Sequence, residues 1–272
     1  MNKIYQVYQV SDSTGETLDR IFLAIKAQFS NFNCKTIHYS FTRTKNQIDK
    51  IISQSKTEKN VIILYTIVDD GLAKYLITET KKNNIPSFEV LGNLINDFSK
   101  LLKQEATRIP SGQHALDKEY YKRIEAVQFT MSHDDGKIVN DLDKSDVVLV
   151  GVSRTSKTPT SIYLANRGYK TVNIPLVLDQ KIPDNLKTNK TSCIIGLIAD
   201  PERLSDIRRN RVAIMKDQKL KDYTDLDSIK KEVSDSKALF KKNNWPIIDV
   251  TRRSVEETAA SILKIIDIKK NK

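Results

Sequence analysis

The run Gly151-Val152-Ser153-Arg154-Thr155-Ser156-Lys157-Thr158 directly follows the apolar stretch DVVLV and precedes an amphipathic segment. A turn at that place exposes backbone N–H groups that can surround phosphate oxygens. Lys157 can neutralise those oxygens, and the Thr158 hydroxyl can hold a Mg²⁺ ion. The run departs from the G-x-x-x-x-G-K-[ST] pattern at Ser156, which stands where a second glycine would be. Arg154 inside the loop reads equally as a phosphate contact or a surface charge.

Four further clusters carry groups suited to phosphate chemistry. Ser11-Asp12-Ser13-Thr14-Gly15-Glu16-Thr17 follows the first strand-like stretch. Its Ser13 with Glu16, or Thr14 with Thr17, would cap a helix, whereas free amides and hydroxyls there would hold a phosphate. His133-Asp134-Asp135-Gly136 offers carboxylates that can accept a proton from an attacking hydroxyl or hold a metal, and it is also a turn signal. Asp200 ends an apolar run before Pro201, and so reads as a metal ligand or as a helix-start cap. Arg208 and Arg211, three apart beside Leu204 and Ile207, share one helical face as an anion clamp or as a solvated basic surface.

The elements that must position these groups alternate. Ile4–Val10 reads as a strand, and Leu18, Ile21, Phe22, Ile25 and Phe29 recur on one helical face. Strands at Thr36–Phe41, Val61–Thr66 and Ser87–Leu91 alternate with helices near Lys45–Ser53, Asp70–Lys81 and Leu94–Leu102. The pattern breaks at KQEATRIPSGQ. A helix carrying Tyr120, Ile124, Val127 and Met131 on one face then leads to the HDDG segment. A second series follows, with strands at Val147–Val150, Thr171–Ile174, Cys193–Ile198 and Ile247–Val250. Helices fall near Thr158–Arg167, Glu202–Met215 and Leu226–Lys242. A last helix turns Val255, Ala259, Ile262, Leu263 and Ile266 inward, with Ser254 and Glu257 in capping-box spacing. Such alternation predicts an α/β fold with parallel sheets. The expected division is an N-terminal parallel-sheet domain at 1–105, a connecting helical segment at 106–145 and a P-loop α/β kinase-like domain at 146–272. No internal repeat is visible.

At 272 residues and 39% hydrophobic content, the chain is long enough for one large domain or two small ones, and its composition is globular. The net charge of +11 favours anionic partners without choosing among them. No nucleic-acid motif accompanies it, which argues against nucleic acid. No apolar run is long enough to span a bilayer and Met1 to Ser13 lacks a signal-peptide pattern, so a cytoplasmic place is expected, without a membrane. Cys34 and Cys193 lack ligand spacing and read as buried thiols, and Trp245 as a packing residue.

Several of these blocks occur in one order along nearly the whole chain: SDSTGET, RIEAVQF before HDDG, GVSRTSKTPTS, NIPLV, GLIADPERLSDIRRNR and WPIIDVTRRSVEETAASIL. Together they resemble the bacterial and plant regulatory proteins of pyruvate, phosphate dikinase and phosphoenolpyruvate synthase. The resemblance implies a bifunctional serine/threonine kinase and phosphorylase. In that family ADP phosphorylates and inactivates an active-site threonine of the partner enzyme, and inorganic phosphate removes the group, releasing pyrophosphate. Carried onto this sequence, it makes Gly151 through Thr158 the ADP site. Lys157 would act on the phosphates, and Thr158, with Asp200, would hold Mg²⁺. His133, Asp134 and Asp135 become candidates for catalysis, with Asp134 or Asp135 activating the substrate. Ser11, Ser13, Thr14, Arg208 and Arg211 would contact the substrate phosphate. The expected partner is the dikinase, with the synthase and a non-catalytic ADP sensor as alternatives, and the oligomeric state is left open.

Overall fold

Short runs of Val, Ile and Tyr form strands and the amphipathic stretches between them form helices throughout the computed structural model, which describes residues 3–112, 118–136, 141–177, 182–189, 191–215 and 221–270. The chain divides into two compact units, Met1–Ala115 and Leu116–Lys272.

In the first unit the elements run β1 Tyr5–Ser11, α1 Glu16–Lys26, β2 Cys34–Tyr39, α2 Lys45–Thr57, β3 Val61–Thr66, α3 Asp70–Lys82, β4 Ser87–Glu89 and α4 Gly92–Leu102. The strands pair in the order β2-β1-β3-β4, all parallel. Successive side chains of a strand point to opposite faces. Tyr8, Val10, Ile63 and Tyr65 therefore pack with Ile48, Ile51 and Ile52 of α2 and Leu76 of α3, while Val7 and Leu64 pack with Leu18 and Phe22 of α1. Ile25 and Phe29, expected on the buried face of α1, are exposed, and Phe29 lies beyond the helix end. Cys34 is only half-buried, against the expectation of a buried thiol, because β2 is an edge strand; Cys193 is buried.

The second unit begins with α5 Lys118–Ser132 and 3-10 turns at Asp134–Gly136 and Leu142–Lys144. It continues with β5 Val147–Gly151, α6 Lys157–Ala165, β6 Thr171–Pro175, α7 Asp184–Thr188, β7 Cys193–Ile198, α8 Pro201–Met215, α9 Lys221–Thr224, α10 Leu226–Lys242, β8 Ile247–Asp249 and α11 Val255–Lys270. Its sheet is again parallel, in the order β6-β5-β7-β8. The central strands β5 and β7 are buried at every position, the mark of strands covered on both faces. One side packs Val147, Leu149, Ile195 and Leu197 against Leu164, Ala259 and Ile262. The other packs Val148, Val150 and Ile174 against Phe240, with Trp245 beside that ring as a packing residue. Ser254 and Glu257 form the expected reciprocal cap of α11, each accepting a hydrogen bond from the other's backbone N–H.

The two sheets share one topology, second-first-third-fourth, which no sequence repeat announced. The division at residue 115 differs from the expected boundaries at 105 and 145. The segment read as a connector contains α5, which packs on α6 and β6 inside the second unit. Its buried contacts are Ala126 and Thr130; Ile124 and Met131, expected inward, are exposed. Small residues win there because the helix lies close to the sheet: the Thr130 hydroxyl accepts from the Thr171 amide at 3.0 Å.

Candidate phosphate-binding site

At the end of β5 the backbone runs too close to β7 for any side chain. A Cβ on Gly151 would stand 2.5 Å from the Leu197 carbonyl oxygen and 2.8 Å from Thr155 Oγ1. Glycine is required there by space. The chain then turns through two left-handed residues, Arg154 at φ 72° and Ser156 at φ 58°. Ser156 thus adopts the backbone that a glycine takes without steric cost, and this accounts for the departure from the loop pattern. Ser156 is the N-cap of α6 and makes no side-chain cap, so no side chain of the cap residue covers the first amides of that helix.

The loop closes on the Val152 carbonyl oxygen, which accepts from Thr155 Oγ1 at 3.0 Å and from Lys157 Nζ at 2.9 Å. Lys157 is the first residue of α6 and only 6% exposed. Burial pulls its ammonium pKa from 10.5 down to about 8, with Asp135 and Asp134 opposing the shift and Arg208 and Arg154 adding to it. A desolvated cation held beneath a turn gains more from a phosphate than one already paired in water.

One residue further, the Thr158 hydroxyl donates to Asp134 Oδ1 at 3.1 Å. Asn173 on β6 joins the pair, its Nδ2 donating to Asp134 Oδ1 at 2.5 Å and to Thr158 Oγ1 at 2.9 Å. The fold brings HDDG to the loop because the turn Asp134–Gly136 packs on β6, next to β5. Asn173 is buried, and its Oδ1 has no partner among the described residues. A polar residue within a buried strand, Thr171–Pro175, was the available signal for it, and sequence reasoning passed over it.

The remaining expected residues fall in different surroundings. Asp135 is exposed at φ 52°. His133 directly follows α5 as a buried ring stacked on Phe129, with Nδ1 hydrogen-bonded to the Phe129 carbonyl at 2.7 Å and to Ser132 Oγ at 2.9 Å. Asp200 accepts from the Arg203 amide at 3.0 Å, which is the helix-start cap of the two readings. Among the described residues no group of three or more His, Cys, Asp or Glu side chains is arranged to hold a metal. Arg208 and Arg211 do not form one exposed clamp: Arg211 is exposed, whereas Arg208 is fully buried and paired with Glu232 of α10 at 2.6 Å. Ser153 Oγ shares a 2.9 Å hydrogen bond with the hydroxyl of Tyr223, a residue that no local pattern singled out.

The first unit carries its own polar cleft at the corresponding place. Ser11 through Thr17, with Thr66, Val68 and Ser111, line a cavity of ≈ 180 Å³ at the C-terminal edge of β1 and β3. This is where the strand order reverses, the usual ligand position of open α/β sheets. The expected helix cap is absent: the N-cap of α1 is Gly15 at φ 90°, without a side-chain cap. Ser13 Oγ is instead hydrogen-bonded to Ser111 Oγ at 2.7 Å, and Ser11 Oγ accepts from Thr66 Oγ1 at 3.2 Å and from the Ser13 amide at 3.1 Å. Arg43 donates from Nε to the Asp12 carbonyl at 2.8 Å.

Fold and site thus define a two-unit parallel α/β protein with a buried cation at a strand–loop–helix junction. The chain belongs to the kinase/pyrophosphorylase family, whose model matches residues 7–263. It is 61% identical over 272 residues to a protein of Pelagibacter ubique, covering 100% of this chain and 99% of that one. That relative is named "Putative pyruvate, phosphate dikinase regulatory protein". Relatives with the same name from Chelativorans sp. and Bradyrhizobium diazoefficiens are 44% and 43% identical, covering 96% and 97% of this chain and 96% and 95% of their own. No helix among the described residues is long and apolar enough to cross a membrane.

Proposed function

We propose that this chain regulates pyruvate, phosphate dikinase by moving a phosphoryl group on and off a threonine of that enzyme. The donor is ADP, and the acceptor in the reverse direction is inorganic phosphate. The observation that carries this reading is the buried Lys157 beneath the Gly151–Thr158 turn, with Thr158, Asp134 and Asn173 hydrogen-bonded beside it. Phosphoryl transfer asks for positioning and charge neutralisation more than for covalent chemistry by the protein, and these residues offer both.

In the forward direction the loop amides and Lys157 hold the ADP phosphates. The threonine oxygen bonds to the β-phosphorus as the bond to the α,β-bridging oxygen breaks, AMP leaves, and the hydroxyl proton passes to a carboxylate. Asp134 is the better placed of the two aspartates for that role, because Asn173 fixes its orientation. In the reverse direction a phosphate oxygen attacks the phosphothreonine phosphorus, and pyrophosphate and the free hydroxyl result. The Thr158 hydroxyl and the Asp134 carboxylate are adjacent oxygen donors of the kind Mg²⁺ takes alongside phosphate oxygens. When bound, the ion would neutralise charge that builds on the transferred group. Asp200, serving as a helix cap, is not needed for that pair.

The cleft of the first unit, with Ser11, Ser13 and Thr14 on its wall, is proposed to receive the phosphothreonine or its phosphate. The test is intact-mass analysis of the dikinase, phosphorylated on its catalytic histidine, after incubation with this protein, Mg²⁺ and either ADP or ATP. One phosphate gained on threonine with ADP, and lost with the Lys157→Ala variant, is the expected result. No gain with the dikinase moves the target to phosphoenolpyruvate synthase. No gain with either enzyme, in a protein that still binds ADP, leaves the sensor reading.

A further inference from the structure

Arg208 is a fully buried arginine that touches the loop only through backbone. Its Nη2 donates to the Ser153 carbonyl at 3.3 Å and to Glu232 Oε2 at 2.6 Å. Its Nη1 donates to Glu232 Oε1 at 3.2 Å and to the Tyr223 carbonyl at 3.1 Å. A two-pronged carboxylate pair of this kind fixes the plane of the guanidinium. The guanidinium carbon lies over the Tyr223 ring, 4.6 Å from its centroid. From the same ring the hydroxyl reaches back to the loop, bonded to Ser153 Oγ at 2.9 Å and accepting from Arg154 Nε at 3.3 Å. The phenol oxygen accepts from Arg154, and either hydroxyl can be the donor in its bond with Ser153.

We infer that Tyr223, held by the Arg208–Glu232 pair, is a positioning residue for the phosphate loop, setting the backbone at Ser153 and the direction of the Arg154 side chain. The loop needs such a device. Arg154 and Ser156 both sit in left-handed backbone, which a non-glycine residue keeps only when its surroundings hold it there. Ser153 is grasped twice, at its carbonyl by Arg208 and at its hydroxyl by Tyr223. Arg154 becomes available to an incoming phosphate from a fixed position, so the ordering cost of a long side chain is met before the ligand arrives. Tyr223 lies 69 residues from Arg154 in sequence, and the strut is therefore a product of the fold of the second unit.

This inference rests on the reading of the loop as an ADP site only for its functional half, and the test separates the two. Removing Arg208 or Glu232 would strand a buried charge and risk unfolding. Tyr223→Phe keeps the ring over the guanidinium and deletes only the hydroxyl. In the unliganded protein, ¹⁵N relaxation should show order parameters of the amides of residues 152–156 falling from about 0.85 to below about 0.6 in the variant, with β5 and β7 unchanged. Calorimetric titration with ADP should show roughly fivefold weaker binding, the loss of about one net hydrogen bond, with an unchanged melting temperature. A residue that only packs would leave both readouts at their wild-type values, and unchanged loop order would overturn the inference. Loosened loop amides with unchanged ADP affinity would overturn it as well. If the wild-type protein bound no ADP, the functional proposal would fall, while the relaxation data would still decide whether Tyr223 orders the loop.

Discussion

The two units solve the same placement problem with opposite means. Each puts its most polar segment after the first strand of a second-first-third-fourth parallel sheet, and each has a glycine at that junction. In the second unit Gly151 is needed for space, because β7 leaves no room for a Cβ. In the first unit Gly15 is needed for its backbone: φ is 90°, while an added Cβ would meet nothing nearer than Ser40 Oγ at 3.6 Å. The buried ionisable groups differ in the same way. Burial lowers the pKa of the Lys157 ammonium beneath one loop and raises that of the Asp12 carboxylate beneath the other, the latter against the Val68 amide and the Arg43 charge. The second unit thus presents a desolvated cation, where we propose that the nucleotide binds. The first presents the hydroxyls of Ser11 and Ser13, where we propose that a single phosphoryl group binds.

The largest effect that would break this division is loss of Lys157. Lys157→Ala should lower the rate of phosphate incorporation by about 10²- to 10³-fold, measured by intact mass against time, because it removes the cation from a preorganised site. A Ser13→Ala change that cut ADP binding as deeply would erase the distinction between the units.

Next come the glycines. Gly151→Ala should cost about 2 to 3 kcal/mol in urea unfolding, since the β7 backbone cannot move aside cheaply. Gly15→Ala should cost about 1 to 2 kcal/mol, from backbone strain alone. Equal costs would show that space and conformation are not the separate causes assigned here.

Ser11→Ala with Ser13→Ala should raise the KM for phosphorylated dikinase in the phosphate-dependent direction roughly fivefold to tenfold, with ADP affinity within twofold of wild type. Smaller still is Asp12→Asn. A folded-state pKa above the ordinary value means that the ionised carboxylate opposes folding at neutral pH. The variant should therefore melt about 1 to 3 °C higher at pH 7. Its advantage should vanish as the pH falls through the raised value to the ordinary one, as followed by thermal melts across pH 3 to 7. Ser156→Gly relieves left-handed strain and should stabilise by about 0.5 kcal/mol in the same unfolding assay.

What the sequence disclosed and what it hid follow from range. The strand–loop–helix order at Gly151–Thr158 was legible because it is local: an apolar run, a polar turn and a 3.6-residue period lie within twenty positions. The parallel α/β class followed from the same alternation. The two readings of Ser13 could not be separated locally, because the hydroxyl that fits a helix cap is drawn instead to Ser111, 98 residues away. Arg208 looked like half of a surface clamp because periodicity places a residue on a face without saying what covers that face. The cover is Glu232 and Tyr223. Asn173 was discoverable in principle as a polar residue in an apolar strand, whereas Tyr223 had no local signature at all.

The most direct test of the central claim follows the transferred group itself. ADP labelled with ³²P at the β-phosphate, mixed with this protein, Mg²⁺ and dikinase phosphorylated on its catalytic histidine, should place the label on a dikinase threonine and release unlabelled AMP. Label that reaches the dikinase only from γ-labelled ATP, or that appears solely as free phosphate, would contradict the account.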